Sequence, residues 1–151
     1  MSELRVGVDA HRVVELRRRI LRPHQPPAAS HYADDRAPGA LHLLIEDDGR
    51  AIGCASVYVE PLDDHHGLRF RGMAVEPARR GEGHGRRLVV ALQEHARTQR
   101  TGLWCNARIS AGAFYEYAGL HGHGAVFDLT PLGPHRVYRW HPDAGRDEGP
   151  A

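Results

Sequence analysis

The segment from Arg79 to Arg87 concentrates the residues of this sequence that could do chemistry. It reads Arg-Arg-Gly-Glu-Gly-His-Gly-Arg-Arg, so glycines alternate with other residues and arginines stand at both ends. Glycine lets backbone N–H groups approach a ligand closely, and arginine adds charge-assisted hydrogen bonds. This combination favours a phosphate or pyrophosphate ligand. The alternative interpretation is a surface turn with solvated arginines.

All 20 basic residues of the chain are arginine, because the sequence contains no lysine. Its absence excludes a Schiff-base lysine, a Ser-Lys nucleophile pair and the lysine-containing phosphate loop. The glycine spacing also differs from the GxGxxG pattern of dinucleotide-binding units. Phosphate binding would therefore depend on arginine side chains and backbone amides.

Two predicted elements position this segment. The run from Leu68 to Val75 is typical of a strand, and from Gly85 onward the apolar residues follow a helical period. The helical face consists of Leu88, Ala91, Leu92 and Ala96. Because a helix start offers unpaired N–H donors and the positive end of its dipole, it would suit an anionic ligand.

The rest of the chain predicts one mixed domain. The chain should begin with a strand (Leu4 to Val8), a helix capped by Asp9 and ended by Pro23, and a loop (Arg22 to Pro38). A hairpin should follow, with strands Leu41 to Glu46 and Arg50 to Val59 joined at Asp48-Gly49. A polar connection (Pro61 to Gly67) then leads to the strand before the segment. After it we expect a strand (Leu103 to Ala107), a helix capped by Ser110, and strands Val126 to Leu129 and His135 to Trp140. This order indicates an α/β layer with a largely antiparallel start and a crossover in the middle.

The composition indicates which kinds of partner the protein could bind and in which cellular compartment it would be found. The 20 basic residues are balanced by 19 acidic ones, so net charge gives no attraction to nucleic acid or an anionic membrane. Cys54 and Cys105 each lie in an apolar stretch and are expected to be buried thiols, which fits a reducing compartment. The sequence has no signal-peptide pattern and no run long enough to span a membrane. We expect a cytoplasmic protein.

From Arg69 to Trp140 the sequence resembles the GNAT superfamily of N-acetyltransferases. Arg80, Gly83 and Gly85 fill its cofactor motif of Arg or Gln, two residues, Gly, one residue, and Gly or Ala. The run Met73-Ala74-Val75 before Pro77 resembles the fourth strand of the family, and the runs Asn106 to Arg108 and Ala113 to Leu120 resemble its second conserved block.

The resemblance implies a mixed α/β fold, classed as α+β because its sheet is mostly antiparallel. It would be a GNAT-like, mostly antiparallel twisted sheet of about six or seven strands flanked by about four helices. Residues 1–140 would form the single domain, and residues 141–151 would be a disordered tail.

The resemblance also implies the roles of individual residues. Backbone groups of Met73, Ala74 and Val75 would pair with the pantetheine arm of acetyl-CoA, and Asn106 would hydrogen-bond it. The pyrophosphate would be held by Arg80, Gly81, Gly83, Gly85 and Arg86. Tyr115 would be the general acid for the departing thiolate, since a phenol with a pKa of about 10 is protonated at neutral pH. Tyr117 lies two positions away and points elsewhere on the helix.

The implied activity is transfer of an acetyl group from acetyl-CoA to a primary amine, directly in a ternary complex. The family allows a homodimer. An alternative is a non-catalytic module that binds a CoA ester or another phosphorylated ligand. Binding of nucleic acid through local arginines is a third possibility, which the near-zero net charge disfavours.

The sequence departs from the family pattern at several positions. Glu82 places a carboxylate beside the proposed phosphates, where we expect it to point to solvent, and the fourth strand offers no evident glutamate as general base. The weak candidates for that base are His42, Glu46, Glu60 and His135. Arg22, His24 and His135 are candidate contacts of the acceptor, which is open among small amines, amino acids, aminoglycosides, polyamines and protein amino groups.

Two other patterns have simpler interpretations. The run Asp63-Asp64-His65-His66 contains metal-ligating residue types but lacks the spacing of a known metal centre, so no metal is expected. The run Arg17-Arg18-Arg19 would spread around a helix rather than form a stripe for nucleic acid, which favours a solvated face.

Overall fold

The structure, a computed structural model, describes residues 1–143. These residues form two compact units. The first comprises Met1–Val59 and Phe70–Ala91, and the second comprises Glu60–Arg69 and the chain from Leu92 onward. Most of the predicted tail, residues 144–151, lies outside the described residues.

Seven strands form a single hydrogen-bonded sheet in this part of the chain. They are Ser2–Val6 (β1), Leu41–Asp47 (β2), Arg50–Asp63 (β3), His66–Val75 (β4), Leu103–Arg108 (β5), His121–Asp128 (β6) and Pro134–Trp140 (β7). Their order in the sheet is β1-β2-β3-β4-β5-β7-β6. β4 and β5 pair in parallel, whereas β1 with β2, β2 with β3, β5 with β7 and β6 with β7 pair antiparallel. The predicted mostly antiparallel sheet with one central crossover is confirmed.

Three α-helices accompany the sheet within residues 1–143. They are His11–Leu16 (α1), His84–Gln99 (α2) and Gly112–Tyr117 (α3), and a π-helical turn, Arg17–Leu21, continues α1. Where about four helices are expected, the long loop after α1 holds only a 3-10 turn, Pro27–Ser30. Its prolines lack the backbone N–H that a longer helix requires. None of these helices is long and apolar enough to cross a bilayer.

Several predicted boundaries were wrong. α1 begins after Ala10, and Asp9 lies beside His11 instead of capping the helix. Ser110 also fails to cap α3, because it lies in a 3-10 turn that precedes the helix. The predicted connection from Pro61 to Gly67 is mostly strand, because β3 and β4 extend to a tight turn in which Asp63 accepts hydrogen bonds from two following backbone N–H groups.

In the first unit, α1 packs against the sheet. Val13 and Leu16 on α1 form a buried cluster with Leu44 of β2, Cys54 of β3 and Ala74 of β4. The predicted β2–β3 hairpin is confirmed, and its turn uses positive φ angles of 50° at Asp48 and 76° at Gly49. Burial of this apolar face fixes the register of the strands that carry the polar groups described below.

In the second unit, the parallel pairing of β4 and β5 and the antiparallel pairing of β5 and β7 create a buried centre. Leu68 of β4 lies opposite Leu103 of β5, and Cys105 of β5 lies opposite Tyr138 of β7. Leu92 and Ala96, on the C-terminal half of α2, are fully buried. β6 forms the edge of the sheet, and most of its residues are exposed.

Candidate functional site

The glycine-rich segment connects β4 to α2 in the first unit, as predicted. A 3-10 turn, Pro77–Arg79, follows β4, and α2 begins at His84. Gly81 and Gly83 have φ angles of 82° and 87°, in the left-handed region that favours glycine. A Cβ placed on either glycine would meet no atom within 4 Å. The backbone of this loop therefore presents an open surface at the start of a helix of 16 residues.

Two charged side chains of this segment, Arg79 and Glu82, are hydrogen-bonded to each other and to neighbouring residues. Arg79 donates hydrogen bonds to Asp47, at 2.9 Å, and to Glu82, also at 2.9 Å. Glu82 additionally lies 3.0 Å from Nε2 of His84, which is buried at the start of α2. The hydrogen bond from Arg79, followed by that from His84, lowers the pKa of Glu82. The Glu82 carboxylate is thus exposed but paired with two neighbours in its own loop.

The cationic side chains predicted to hold phosphate occupy different positions in this segment. Arg80 and Arg86 are exposed on the loop and on the first turn of α2. Arg87 is partly buried and donates a hydrogen bond to the Ser2 hydroxyl at 2.8 Å. Arg80 and Arg86 are therefore the arginines presented to solvent beside the open glycine backbone.

The residues predicted to pair with an extended ligand lie at the end of β4. Ala74 is buried in the α1 cluster, whereas Met73 and Val75 are partly exposed. β3 approaches closely here, because a Cβ on Gly53 would lie 3.6 Å from the Ala74 carbonyl oxygen. The backbone N–H of Glu76 donates to the Ile52 carbonyl at 2.8 Å.

The second unit contains Asn106 and Tyr115. Asn106 is partly exposed on β5, opposite Val137 of β7. Tyr115 is half-buried on α3, and its ring centroid lies 6.0 Å from that of Tyr138. Desolvation raises the pKa of the Tyr115 phenol above its ordinary value, so it stays protonated over a wide pH range. Tyr117, two positions along α3, is 77% exposed, in agreement with its predicted different direction.

Gly112 allows the phenol of β7 to pack against α3. A Cβ at Gly112 would lie 2.3 Å from the Tyr138 hydroxyl oxygen, which is too close for any side chain. The sequence pattern predicted the helix but not this packing.

The predicted acceptor contacts lie apart from one another along the chain. Arg22 and His24 follow the π-helical turn in the first unit, where Arg22 is partly buried and His24 is exposed. His135 lies in the second unit, where it is buried and its Nδ1 donates to the Gly133 carbonyl at 2.7 Å.

The other candidate general bases are engaged in hydrogen bonds. His42 is buried, with Nδ1 2.7 Å from the Ser56 hydroxyl oxygen and Nε2 2.8 Å from the Asp35 carbonyl oxygen. Glu46 pairs with two arginines, and Glu60 pairs with Arg69. Since both ring nitrogens of His42 are occupied, proton abstraction from a substrate would require breaking this arrangement.

Sequence reasoning missed a buried polar network in the first unit. Arg17 is fully buried and donates two hydrogen bonds to the Asp35 carboxylate, at 2.7 and 2.9 Å. It also donates to the Ser56 and Tyr58 hydroxyl groups and to the Ser30 carbonyl. The predicted solvated face is therefore wrong for Arg17, although Arg18 and Arg19 are exposed.

One signal in the sequence could have revealed this role. Arg17 lies four positions after Val13 and three before Ile20, within the apolar stripe of the helix. A charged residue in such a stripe requires a buried partner.

The carboxylate of this network is saturated. Besides Arg17, Asp35 accepts hydrogen bonds from the Tyr58 hydroxyl at 2.6 Å and from the Tyr32 backbone N–H at 3.0 Å. Desolvation raises the pKa of Asp35, but hydrogen bonds from Arg17 and Tyr58 outweigh it and the net shift is downward. Arg17 and Asp35 thus form a buried ion pair that anchors the loop after α1 to the sheet.

A cavity of about 300 Å³ lies beside this anchored loop. It is lined by Ala10, His11, Val14, His31, Tyr32, Ala33, Asp35 and Arg36. Neither Arg22 nor His24 contributes to this lining.

The other side chains that could react or bind a metal are either hydrogen-bonded to neighbours or buried. Asp63 is 2.8 Å from Nδ1 of His66 and accepts a hydrogen bond from Arg139. Residues 1–143 contain no group of three or more His, Cys, Asp or Glu side chains that could hold a metal ion. Cys54 and Cys105 are buried thiols, as predicted, and burial raises the pKa of Cys54 to about 12.

Comparison with known proteins places this geometry in context. A family model described as the acetyltransferase (GNAT) domain matches residues 38–119. An uncharacterized N-acetyltransferase of Bacillus subtilis, YitI, is 35% identical over 127 residues, which cover 82% of this chain and 85% of YitI.

Solved structures share the fold at low sequence identity. Escherichia coli ElaA superimposes with a TM-score of 0.78 at 18% identity, covering 92% of this chain and 99% of ElaA. An aminoglycoside 6'-N-acetyltransferase complexed with coenzyme A superimposes with a TM-score of 0.67 at 15% identity, covering 87% of this chain and 89% of that protein.

Proposed function

The chain belongs to the GNAT family of acetyltransferases and is an acyltransferase, and we propose that it transfers an acetyl group from acetyl-CoA to a primary amine. The transfer is direct, in a ternary complex of enzyme, acetyl-CoA and amine. The observation that carries the proposal is the open glycine backbone at Gly81 and Gly83, placed between β4 and the start of α2. Such a loop supplies backbone donors and the positive end of a helix dipole to a pyrophosphate.

We assign the pyrophosphate of acetyl-CoA to the glycine-rich loop. It is held by the side chain of Arg86 and by the backbone amides of Arg80, Gly81, Gly83 and Gly85. The residues fit this group, because Arg86 is exposed and the Glu82 carboxylate is hydrogen-bonded to Arg79 and to His84 within its own loop. Lysine is not needed, since arginine and backbone amides both bind phosphate well.

The pantetheine arm extends from this loop along the end of β4. Backbone groups of Met73, Ala74 and Val75 pair with it as a neighbouring strand would, and Asn106 donates or accepts a further hydrogen bond. A backbone amide near Val75 polarises the thioester carbonyl, where negative charge develops during the attack.

The chemistry requires two proton movements. The neutral amine attacks the thioester carbonyl carbon, the bond from that carbon to sulfur breaks, and the amine nitrogen loses its extra proton. Tyr115 donates its phenolic proton to the leaving thiolate, and the phenolate regains a proton from solvent before the next turnover. Desolvation raises the pKa of this phenol, so the donor is protonated at neutral pH, although the same shift makes it a weaker acid.

We propose that water carries the proton away from the amine. Among the candidates within the described residues, His42 has both ring nitrogens engaged and Glu60 is paired with Arg69. A water chain would accept the proton without disturbing these bonds.

We also place the protein in the cytoplasm, where it would act as a monomer or a homodimer. Two buried free thiols support a reducing compartment. Sedimentation of the purified protein would determine the oligomeric state.

Two measurements test the proposed function. Isothermal titration with acetyl-CoA should give a dissociation constant below millimolar, and a broad panel of primary amines should release free CoA with at least one member. Absence of acetyl-CoA binding at millimolar ligand would refute the whole proposal. Binding without CoA release over the panel would instead favour a non-catalytic module that senses a CoA ester.

A further inference from the structure

Hydrogen-bonded side chains connect the glycine-rich loop to β2. Arg79, in the 3-10 turn before the loop, donates to Asp47 at the end of β2 and to Glu82, each at 2.9 Å. Glu82 stands between Gly81 and Gly83, so it carries the only side chain beyond Cα in this three-residue segment. That side chain therefore links the most flexible part of the loop to a strand of the sheet.

His84 connects the same carboxylate to β1. Its Nε2 lies 3.0 Å from Oε1 of Glu82, and its Nδ1 lies 3.4 Å from Nη1 of Arg87. The same nitrogen of Arg87 donates to the hydroxyl of Ser2, on β1, at 2.8 Å. The His84 side chain is only 5% exposed, so its ring lies inside this chain of contacts rather than in solvent.

The two partners of His84 determine where its ring carries a proton. A guanidinium has no lone pair to accept a hydrogen bond, so Nδ1 is the acceptor in the contact with Arg87. The pKa of Glu82 is lowered, mainly by its hydrogen bond from Arg79, so its carboxylate is ionised and can only accept. Nε2 therefore carries the hydrogen that Glu82 receives. The neutral ring with its proton on Nε2 satisfies both contacts.

The contact between His84 and Glu82 matters because the residues on either side of Glu82 are glycines. Gly81 and Gly83 have φ angles of 82° and 87°, and glycine loses more conformational freedom on ordering than any other residue. A loop that is already ordered loses less entropy when its ligand binds. The same contact keeps the charge of Glu82 paired, so that it repels a phosphate less.

We propose that His84 is a positioning residue of the acetyl-CoA site, acting through Glu82 to hold the backbone of residues 81–83 ready for the pyrophosphate. The inference rests on the proposed binding of acetyl-CoA at this loop. The ring of His84 does not contact the ligand, since both of its nitrogens are engaged by Glu82 and Arg87. Its effect is therefore confined to ligands that carry the pyrophosphate.

Isothermal titration of the purified protein with acetyl-CoA tests the affinity. His84→Leu removes both ring nitrogens and should raise the dissociation constant about tenfold, which corresponds to one hydrogen bond to a charged group. His84→Gln keeps an N–H donor for Glu82 and should stay within about threefold of the wild type. His95→Leu makes the same substitution at a partly buried histidine in the C-terminal half of α2 and should bind like the wild type. Equal losses in the leucine and glutamine variants of His84 would overturn the proposal.

A truncated donor distinguishes a positioning role from a general structural one. S-acetylpantetheine carries the thioester and the pantetheine arm without the pyrophosphate. With an amine that the wild type accepts, His84→Leu should raise KM for acetyl-CoA about tenfold and leave kcat within about threefold. Its kcat/KM for S-acetylpantetheine should change less than about threefold. An equal loss with both donors would show a structural role and overturn the proposal.

Two further measurements do not depend on turnover. In a Glu82→Ala background, His84→Leu should change the acetyl-CoA dissociation constant less than about threefold, because the residue through which it acts is gone. A full tenfold loss in that background would contradict the proposal. ¹⁵N NMR of the imidazole rings, with His84 assigned by comparison with His84→Gln, should show a protonated Nε2 and an unprotonated Nδ1 at neutral pH. A proton on Nδ1 would overturn the arrangement.

The outcomes separate this proposal from the proposed function. Equal acetyl-CoA affinity in the wild type and in His84→Leu would overturn the role of His84 and leave acetyl transfer standing. No binding of acetyl-CoA by the wild type would refute both. Circular dichroism should show that the leucine variant is folded, and if it is not, His84→Met, which is also apolar but more adaptable in shape, replaces it.

Discussion

The guanidinium of Arg17 and the carboxylate of Asp35 form a buried, two-point ion pair, with N–O distances of 2.7 and 2.9 Å and no exposed surface on Arg17. The pair connects the helical turn after α1 with the long loop that follows it. Because Asp35 also accepts from Tyr58 and from the Tyr32 backbone, it joins that loop to β3. In this loop, the ring of Tyr32 has its centroid 3.9 Å from the guanidinium carbon of Arg71 on β4.

We expect Asp35→Asn to destabilise the protein strongly. The substitution leaves the Arg17 charge buried without a counter-ion, and breaking a buried pair in this way costs about 3–5 kcal/mol. The free energy of unfolding in urea measures the loss. The control is Glu15→Gln, which breaks an exposed pair with Arg18 and should cost less than about 1 kcal/mol. Equal losses in both variants would contradict a special role for the buried pair.

The contribution of Asp35 should depend on pH. The folded state lowers the pKa of Asp35, so its stabilising effect is fully present above the unfolded value of about 3.9 and is lost as the pH falls through the folded value. The difference in unfolding free energy between the wild type and Asp35→Asn should therefore be constant from about pH 7 to pH 5 and shrink below about pH 4. A difference that stays constant down to pH 2 would show that the carboxylate charge contributes nothing.

Gly83→Ala should weaken the binding of acetyl-CoA at least tenfold. Alanine at a φ of 87° is strained by about 1–2 kcal/mol, and the new methyl group lies on the backbone that we assign to the pyrophosphate. Isothermal titration measures the affinity. Gly49→Ala is a matched control, because Gly49 also has a positive φ, 76°, and open space around it, but lies in the β2–β3 turn. Unchanged affinity in Gly83→Ala would remove this loop from the cofactor site.

Tyr115→Phe should lower kcat about 100-fold with little change in the acetyl-CoA affinity, since it removes a proton donor and keeps the ring. Because the pKa of Tyr115 is raised, the wild type should show no loss of activity from ionisation of this phenol up to about pH 10. Steady-state kinetics across pH measure both effects. Tyr117→Phe, at an exposed position on the same helix, should retain the wild-type kcat. A matching kcat in Tyr115→Phe would exclude the acid role.

Glu82→Gln should change the acetyl-CoA dissociation constant less than about threefold, because the carboxylate is already paired and an exposed pair contributes little. An unpaired carboxylate beside the phosphates would repel them, and its removal would tighten binding tenfold or more. Titration at low salt separates the two cases. Tighter binding on that scale would show that the Arg79–Glu82 pair does not form in solution.

The local patterns of the sequence predicted most of the elements. The change of period around Pro77, the Asp48-Gly49 turn and the alternating glycines each depend on residues that are close in the chain. Predictions were weaker at the ends of elements. Asp9 and Ser110 are of residue types that often cap helices, but neither lies at the capping position in the structure. Residue preferences at caps are small compared with the packing that fixes where a helix begins.

The sequence by itself determined the family and the candidate cofactor loop, because a backbone phosphate site requires only glycines, a strand and a helix start in consecutive order. Only the tertiary structure decided the fate of the charged side chains. Arg17 belongs to a run of three arginines for which we expected a solvated face. It is buried instead, because Asp35 and Tyr58, 18 and 41 positions away, accept its hydrogen bonds. Arg71 lies on Tyr32 because Gly72 allows a close approach between β4 and the loop. The position of Arg17 in the apolar stripe of its helix indicates that it is buried, but the partners it meets at such separations depend on how the sheet and helix pack, and no local spacing encodes them.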